Sequence, residues 1–310
     1  MKILRRLEHL QDSIESPNVV TLGNFDGIHL GHQALLERTR EISIEMDLPS
    51  CVVTYYPNPA LVLGKDKDLG SLTSQSDKEA LIESFGIDSL VVAPFTMELA
   101  QMEAEDFIRK ILVEELKAKA ILIGYNHCFG KGRRGNFELL EQYSSKYHYR
   151  LEKLDPVYLG NIKLSSSYIR SLLRDGNVKE AEECLGREFS VTGKVIHGKE
   201  RGRKIGFPTA NLEVSNELIL PAIGVYAGKT EIEGKYYPSM INIGNNPTFG
   251  NNAISLESHI FDFSDNLYGK TVRVLFTDRI RSEVKFPGVE ALVSQLKQDE
   301  EVSRKILSEL

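Results

Sequence analysis

The feature that most constrains this chain is a single change of hydrophobic pattern near residue 186. Before it, short apolar runs alternate with stretches whose apolar residues recur at helical spacing. Strands are expected at residues 18–22, 51–55, 89–93 and 120–123, and helices at 30–46, 77–85 and 104–116. The helix at 30–46 takes Leu35, Leu36, Ile42, Ile44 and Met46 as its apolar positions, and the helix at 77–85 takes Ser76 or Asp77 as its N-cap. Two short helices, 168–174 and 178–185, end this part. Such alternation implies a parallel sheet flanked by helices. After residue 186, glycines are frequent and short strands recur at 191–195, 225–229, 240–243, 255–263 and 271–276. This texture implies a small antiparallel barrel. A closing helix starts near Gly288, with Val289, Leu292, Val293 and Leu296 on one face. The expected fold class is therefore α/β plus β, with domains at 1–186 and 187–310. The length of 310 residues agrees, at about 150 residues per domain.

Charge and cysteine content exclude several classes. The net charge of −6 lies entirely in the first 186 residues, which argues against a protein that coats nucleic acid. The second part is neutral overall, yet it concentrates Lys194, Lys199, Arg201, Arg203 and Lys204 against Glu200 alone. Cys51, Cys128 and Cys184 are far apart and form no CxxC pair. A disulfide framework and a cysteine-rich zinc site are thus not expected, and a reducing cytoplasmic setting is. Residues 1–10 carry charges throughout and lack the apolar core of a signal peptide. No apolar run approaches the ~18 residues of a membrane span. Neither a nucleic-acid nor a membrane partner is expected.

Chemistry concentrates first in residues 21–32, T-L-G-N-F-D-G-I-H-L-G-H, which join the first strand to the first long helix. Open parallel sheets bind ligands at the carboxyl ends of their strands. A helix N-terminus there offers unpaired N–H groups and partial positive charge, which suits phosphate. Gly23, Gly27 and Gly31 allow close backbone approach. His29 and His32, three apart, project from one helical turn and can donate hydrogen bonds to a phosphate in transfer. The dinucleotide fingerprint GxGxxG and the Walker pattern GxxxxGK(S/T) are both missing. Half of a metal site is the alternative for the histidine pair, but no nearby cysteine or carboxylate pair completes it.

Two further clusters suit phosphates. Ser165, Ser166 and Ser167 place hydroxyls and helix-start N–H groups before the forked cation of Arg170; a plain serine N-cap is the other reading. Residues 193–211, G-K-V-I-H-G-K-E-R-G-R-K-I-G-F-P-T-A-N, set Gly193, Lys194, Lys199 and Gly206 in a basic, glycine-rich loop between strands, which suggests a phosphate cover. Thr209 and Asn211 are two apart, so in a strand they face the same way and can share a hard cation such as Mg2+.

These motifs resemble those of the HxGH nucleotidyltransferases. With the rest of the chain they resemble the bifunctional bacterial riboflavin kinase/FAD synthetase family over nearly the full length. The resemblance implies a Rossmann-like adenylyltransferase domain followed by a riboflavin kinase-like barrel. It implies ATP as co-substrate with Mg2+, and riboflavin and FMN as flavin substrates. His29 and His32 would act in adenylyl transfer, and Gly23, Asn24, Phe25, Asp26, Gly27, Gly31 and residues 165–170 would bind its nucleotide. The loops Tyr56-Pro57-Asn58-Pro59 and 124–130 would lie on the flavin side, with Asn58 and Asn126 standing where the family pattern has His and Asp. F-P-T-A-N matches the kinase signature without a mismatch, and Glu257 falls where the family's base acts on the ribityl hydroxyl. Asn245, in the loop at 244–250, with Arg281 and Glu283, would lie beside the kinase flavin. Two rival readings remain: an enzyme with one working site, and a flavin- or nucleic-acid-binding regulator that kept the fold. Consumption of ATP separates the regulator from both enzymes.

Overall fold

The computed structural model describes all residues except 11, 12, 15, 65–69, 199, 200, 246–253 and 310. By contacts the chain forms two compact units, Met1–Ser71 with Gln75–Ser165, and Leu72–Ser74 with Ser166–Leu310.

The first unit is built on a six-stranded sheet: β1 (Lys2–Leu4), β2 (Asn18–Leu22), β3 (Ser50–Tyr56), β4 (Ser89–Pro94), β5 (Ala118–Gly124) and β6 (Arg150–Leu154). The spatial order is β1-β4-β3-β2-β5-β6, and every pair is parallel. All five residues of β2 are buried, as expected of a strand covered on both faces. One face packs Val20, Leu22, Val53 and Ile121 against Phe107, Ile108, Ile111 and Leu112. The other packs Val19, Val52 and Leu122 against Leu35, Leu36, Ile42 and Ile82. Helix α1 (Leu30–Met46) follows β2 and turns Leu35, Leu36, Thr39 and Ile42 inward. Ile44, expected among its apolar positions, is 68% exposed, because it lies about 200° round the helix from Ile42. The expected helix at 77–85 starts earlier, at Gln75, so Ser76 and Asp77 stand inside its first turn and neither is the N-cap. Residues Phe107–Glu115 are wound more widely than an α-helix, and the Leu116 N–H donates to the Ile111 carbonyl five residues back, at 2.9 Å.

The second unit contains a closed barrel. Its strands are β9 (Phe189–Ile196), β10 (Ala210–Glu213), β11 (Gly224–Ile232), β12 (Lys235–Asn245), β13 (Ile254–Ile260) and β14 (Thr271–Arg281), and β7 (Tyr158–Leu159) and β8 (Ile162–Lys163) form a separate hairpin in the first unit. The barrel order is β10-β13-β12-β11-β14-β9, and every pairing is antiparallel. Closure removes free strand edges. Phe189, Tyr226 and Phe276 fill the interior, with Tyr226 edge-on to Phe276 at 5.4 Å. The helices Ser166–Asp175 and Val178–Leu185 belong to this unit, so the contact boundary precedes the change in sequence texture.

The closing helix, Val289–Ser308, has Gly288 as its N-cap. Leu296 and Val293 pack on Phe207, Val225, Met240 and Phe261. Val289, expected on that face, is 62% exposed, because at the first helical position it precedes the turn that reaches the barrel. A buried ion pair anchors the helix. Arg281 donates from Nε to Asp299 Oδ1 at 3.0 Å and from a terminal nitrogen to Oδ2 at 2.7 Å, and Gln295 donates to the same carboxylate at 2.8 Å. Asp299 is 1% exposed. Removing one partner of a buried pair leaves the other uncompensated. Asp299→Ala is expected to destabilise the second unit towards the lower end of about 3–5 kcal/mol, because Arg281 keeps some solvent access. Urea unfolding followed by circular dichroism measures this.

Candidate active sites

The strand order places the turn after β2 at a topological switch point: β3 lies to one side of β2 and β5 to the other. Loops leaving the carboxyl ends there line a crevice. Gly23 follows β2 and donates its N–H to the Val53 carbonyl at 3.1 Å. Phe25, Gly27 and Ile28 all have positive φ, at 49°, 83° and 40°, and this tight reversal brings the chain into α1. Phe25, Asp26 and Ile28 are buried.

His29 is the N-cap of α1, and its Nδ1 accepts the His32 N–H at 3.3 Å. That assignment puts the neutral ring's proton on Nε2. The His29 and His32 rings stack with centroids 3.8 Å apart, so the structure brings together the two histidines that the sequence pairs. A Cβ on Gly31 would stand 3.1 Å from His29 Cε1 and 3.2 Å from its Nδ1, which explains the glycine between them. Burial, then His29 and Lys78, holds the His32 pKa well below the ordinary histidine range. His32 Nδ1 and Asn24 Oδ1 are buried without a partner in the protein, as polar groups are where a ligand completes them.

Lys78, not singled out by the sequence reading, also reaches this turn. Its Nζ donates to the Asn24 carbonyl at 3.1 Å. The available signal was its spacing: Lys78 stands four residues before Ile82, and both are the buried positions of their helix.

The flanking loops are more mixed. Asn58 caps the short helix Pro59–Val62, its Oδ1 accepting from the Ala60 N–H at 3.0 Å. Asn126 is exposed. Between them in kind is His127, whose pKa burial, aided by Arg133, pushes down to about 4; its Nε2 is buried and unpartnered. Ser165 ends the first unit, and Ser166 opens a helix of the second in which Ser167 is exposed and Arg170 buried.

In the barrel, Glu257 on β13 stands opposite Asn211 of β10 and Asn242 of β12. Thr209 Oγ1 donates to Glu257 Oε2 at 3.0 Å. Two cavities meet at Thr209. One, about 280 Å³, is lined by Glu257, Asn242, Phe207, Met240, Glu283 and Leu296 among others. The other, about 460 Å³, is lined by Asn211, Arg203, Gly198, Asp265, Asn266 and Tyr268 among others. Thr209 and Asn211 therefore do share a cavity, as their spacing suggests. A Cβ on Gly198 would collide with the Asn211 amide, so the loop backbone lies directly over it. Asn242 and His259 were not among the sequence candidates; the His259 ring meets the Pro208 carbonyl through Nδ1 at 2.7 Å.

Gly193 and exposed Lys194 lie on β9, where Lys194 pairs with Glu213 and Thr271. Gly206, with φ 89°, precedes Phe207. Arg281 lines the smaller cavity while bound to Asp299. Asn245 is exposed at the end of β12. Lys199 and residues 246–250 of the expected flavin-side loop lie outside the described residues.

The model of the FAD synthetase family matches residues 11–168, and that of the riboflavin kinase family matches residues 185–307. A bifunctional riboflavin kinase/FMN adenylyltransferase of Buchnera aphidicola is 39% identical over 302 residues, covering 96% of each chain. This chain belongs to the bifunctional riboflavin kinase/FMN adenylyltransferase family. The Escherichia coli K12 family member is 34% identical over 307 residues, covering 98% of this chain and 97% of its own. A solved structure described as a macrolide-efflux protein from Streptococcus pneumoniae superposes with a TM-score of 0.89 at 35% identity, covering 98% of this chain and 99% of that one. Among the described residues no helix is long and apolar enough to cross a membrane. The HxGH turn falls in the FAD synthetase match, and Thr209, Asn211 and Glu257 fall in the riboflavin kinase match.

Two expectations follow for a family member built this way. The methyl that Gly31→Ala adds presses on the His29 ring at 3.1 Å, so His29 must shift by part of an ångström; FAD formation should fall roughly tenfold while FMN formation is unchanged, by product chromatography. Histidine burial sets an acid limit on stability. The unfolded chain takes up protons near the ordinary histidine pKa of about 6.5, whereas folded His32 and His127 resist them. Their contribution is therefore complete above that pH and is lost as pH falls towards 4. The urea midpoint should drop over this window, and His127→Gln should flatten the drop.

Proposed function

We propose that this chain performs its family's two reactions at the two clusters described above, with ATP as co-substrate of each. Residues 187–310 phosphorylate riboflavin to FMN, and residues 1–186 adenylylate FMN to FAD with release of pyrophosphate. The observation that carries this reading is the Thr209–Glu257 pair at the meeting of two cavities. An apolar-walled cavity suits a flavin ring, the more polar one suits a nucleotide, and the carboxylate lining the first is bonded to the threonine that both share.

In the kinase step the ribityl oxygen attacks the γ-phosphorus, the bond from that phosphorus to the ADP oxygen breaks, and Glu257 accepts the hydroxyl proton. A base within hydrogen-bond reach contributes about 100- to 10,000-fold. The Thr209 hydroxyl fixes Oε2, which leaves Oε1 for the substrate. Thr209 and Asn211 would hold Mg2+. Their donor set fits: a hydroxyl and an amide oxygen are hard ligands, and Mg2+ characteristically keeps waters and substrate phosphates in its shell. When bound, the ion would neutralise phosphate charge. Among the described residues no group of three or more His, Cys, Asp or Glu gathers to hold an ion, so the nucleotide would supply much of the coordination. Lys199 and Gly206 are assigned to the phosphate cover; Gly193 and Lys194, expected in that loop, stand instead within the strand β9 that leads into it; and Asn245, Arg281 and Glu283 are assigned to the flavin end.

In the adenylyl step an FMN phosphate oxygen attacks the α-phosphorus of ATP, and the bond to pyrophosphate breaks. The nucleophile is already anionic, so positioning and charge stabilisation dominate. His29 Nε2–H, neutral His32 and the N-terminus of the 17-residue helix α1 supply donors to the transferring group. Gly23, Asn24, Phe25, Asp26, Gly27 and Gly31 shape the nucleotide cradle. Ser165, Ser166, Ser167 and Arg170 are assigned to the departing phosphates, and Asn58 and Asn126 to the flavin side. A cytoplasmic setting goes with this reading, supported by three cysteines that form no disulfide.

Product analysis with ATP, Mg2+ and either riboflavin or FMN tests the assignment. FMN should form from riboflavin, and FAD from FMN. Glu257→Gln should lower only the first step, by about 100-fold or more. His32→Ala should lower only the second, by about 100- to 1,000-fold, the usual effect of removing one preorganised donor. Loss of both steps from either substitution contradicts two separate sites, and failure to make FAD leaves a kinase with one working site.

A further inference from the structure

Among the described residues Lys78 is the one buried lysine, 6% exposed. Taking an ammonium out of water costs several kcal/mol unless neighbours compensate. Burial lowers the Lys78 pKa, and the carboxylates of Asp26 and Glu79 oppose that effect. The ammonium is therefore held at this place by specific partners. Nζ donates to the Asn24 carbonyl at 3.1 Å, and Thr54 Oγ1 donates to the same carbonyl at 3.0 Å. Asn24 begins a reversal in which Phe25, Gly27 and Ile28 have positive φ. The Gly23 N–H ties the entry of the turn to the Val53 carbonyl at 3.1 Å, and the two donors on the Asn24 carbonyl hold the residue that follows. The Asn24 side-chain oxygen, meanwhile, is buried and unpartnered.

We infer that Lys78 is a positioning residue for FMN adenylylation: with Thr54 it clamps the Asn24 carbonyl, and so sets the turn that carries the Asn24 amide and the two histidines to the reacting phosphates. This rests on the assignment of adenylylation to the HxGH turn. The clamp has an electrostatic consequence. Half-buried His32 stacks on His29 of its own turn, and the charges of His29 and of Lys78, from Gln75–Ser84, both oppose its protonation. Asp26 and Glu79 act on the Lys78 charge in the opposite sense. Lys78 thus helps keep His32 a neutral hydrogen-bond donor.

The test uses the full chain and assays both steps in each preparation. Lys78→Met removes hydrogen bond and charge, Lys78→Gln removes the charge alone, and Lys78→Arg keeps it. Thr54→Val removes the second donor without touching any charge. Lys78→Met should lower kcat for FAD formation by about tenfold or more and leave riboflavin phosphorylation unchanged. The acid limb of the kcat–pH profile for FAD formation should move to higher pH in Lys78→Met and Lys78→Gln. It should stay in place in Lys78→Arg, which recovers part of the rate, and in Thr54→Val, which is slower. A merely structural lysine would lower the rate without moving the limb. Should Lys78→Met fail to fold, Lys78→Gln and Thr54→Val carry the decision. If wild type makes FAD and Lys78→Gln matches its rate and profile, the role of Lys78 is overturned. If wild type makes no FAD, the assignment beneath it is overturned instead.

Discussion

The α/β unit depends on how β2 ends. A central strand buried along its whole length delivers the chain to the middle of the sheet edge, and the next seven residues, Gly23 to His29, must reverse into α1. Phe25 and Ile28 adopt left-handed backbone there, at about 1–2 kcal/mol each. Both side chains are fully buried, which offsets that strain by roughly 1.5–3 kcal/mol each. The turn is therefore secured by its own apolar side chains beneath the sheet. Within that turn the Asn24 side-chain oxygen and His32 Nδ1 stay buried without a protein partner, while His29 Nδ1 is spent on capping α1.

The barrel solves a related problem by register. Closure fixes which residues stand across from one another, and β13 runs between β10 and β12. Glu257 consequently lies opposite an asparagine on each side, with the Thr209 hydroxyl on its carboxylate. A slip of one residue would turn Glu257 to the other face. The Arg281–Asp299 pair serves the same end at longer range, holding the closing helix over the cavity that Glu257 lines.

Much of this was legible from residue order. β2 and β3 are apolar runs because neighbours cover both faces, and the barrel strands announce themselves between glycine turns. The edge strands β1 and β6 were not legible. β1 has three residues, and β6, Arg150–Leu154, carries charges on a half-exposed edge. Helix faces were read less well than helices. Ile44 and Val289 are apolar yet exposed, while Lys78, Asp299 and Ser303 are polar yet buried. Hydropathy predicts burial only where no specific partner changes the balance, and these polar groups have partners.

Local chemistry alone determined the two fold classes, the HxGH pair and the Thr209–Asn211 spacing, because each depends on periodicity or on residues a few positions apart. Tertiary structure decided which groups act on one another. Lys78 meets Asn24 across 54 residues, Thr209 meets Glu257 across 48, and Arg281 meets Asp299 across 18. No local pattern encodes such pairs. They exist because sheet order, barrel closure and helix packing bring distant segments to one place, and burial then makes each polar partner matter.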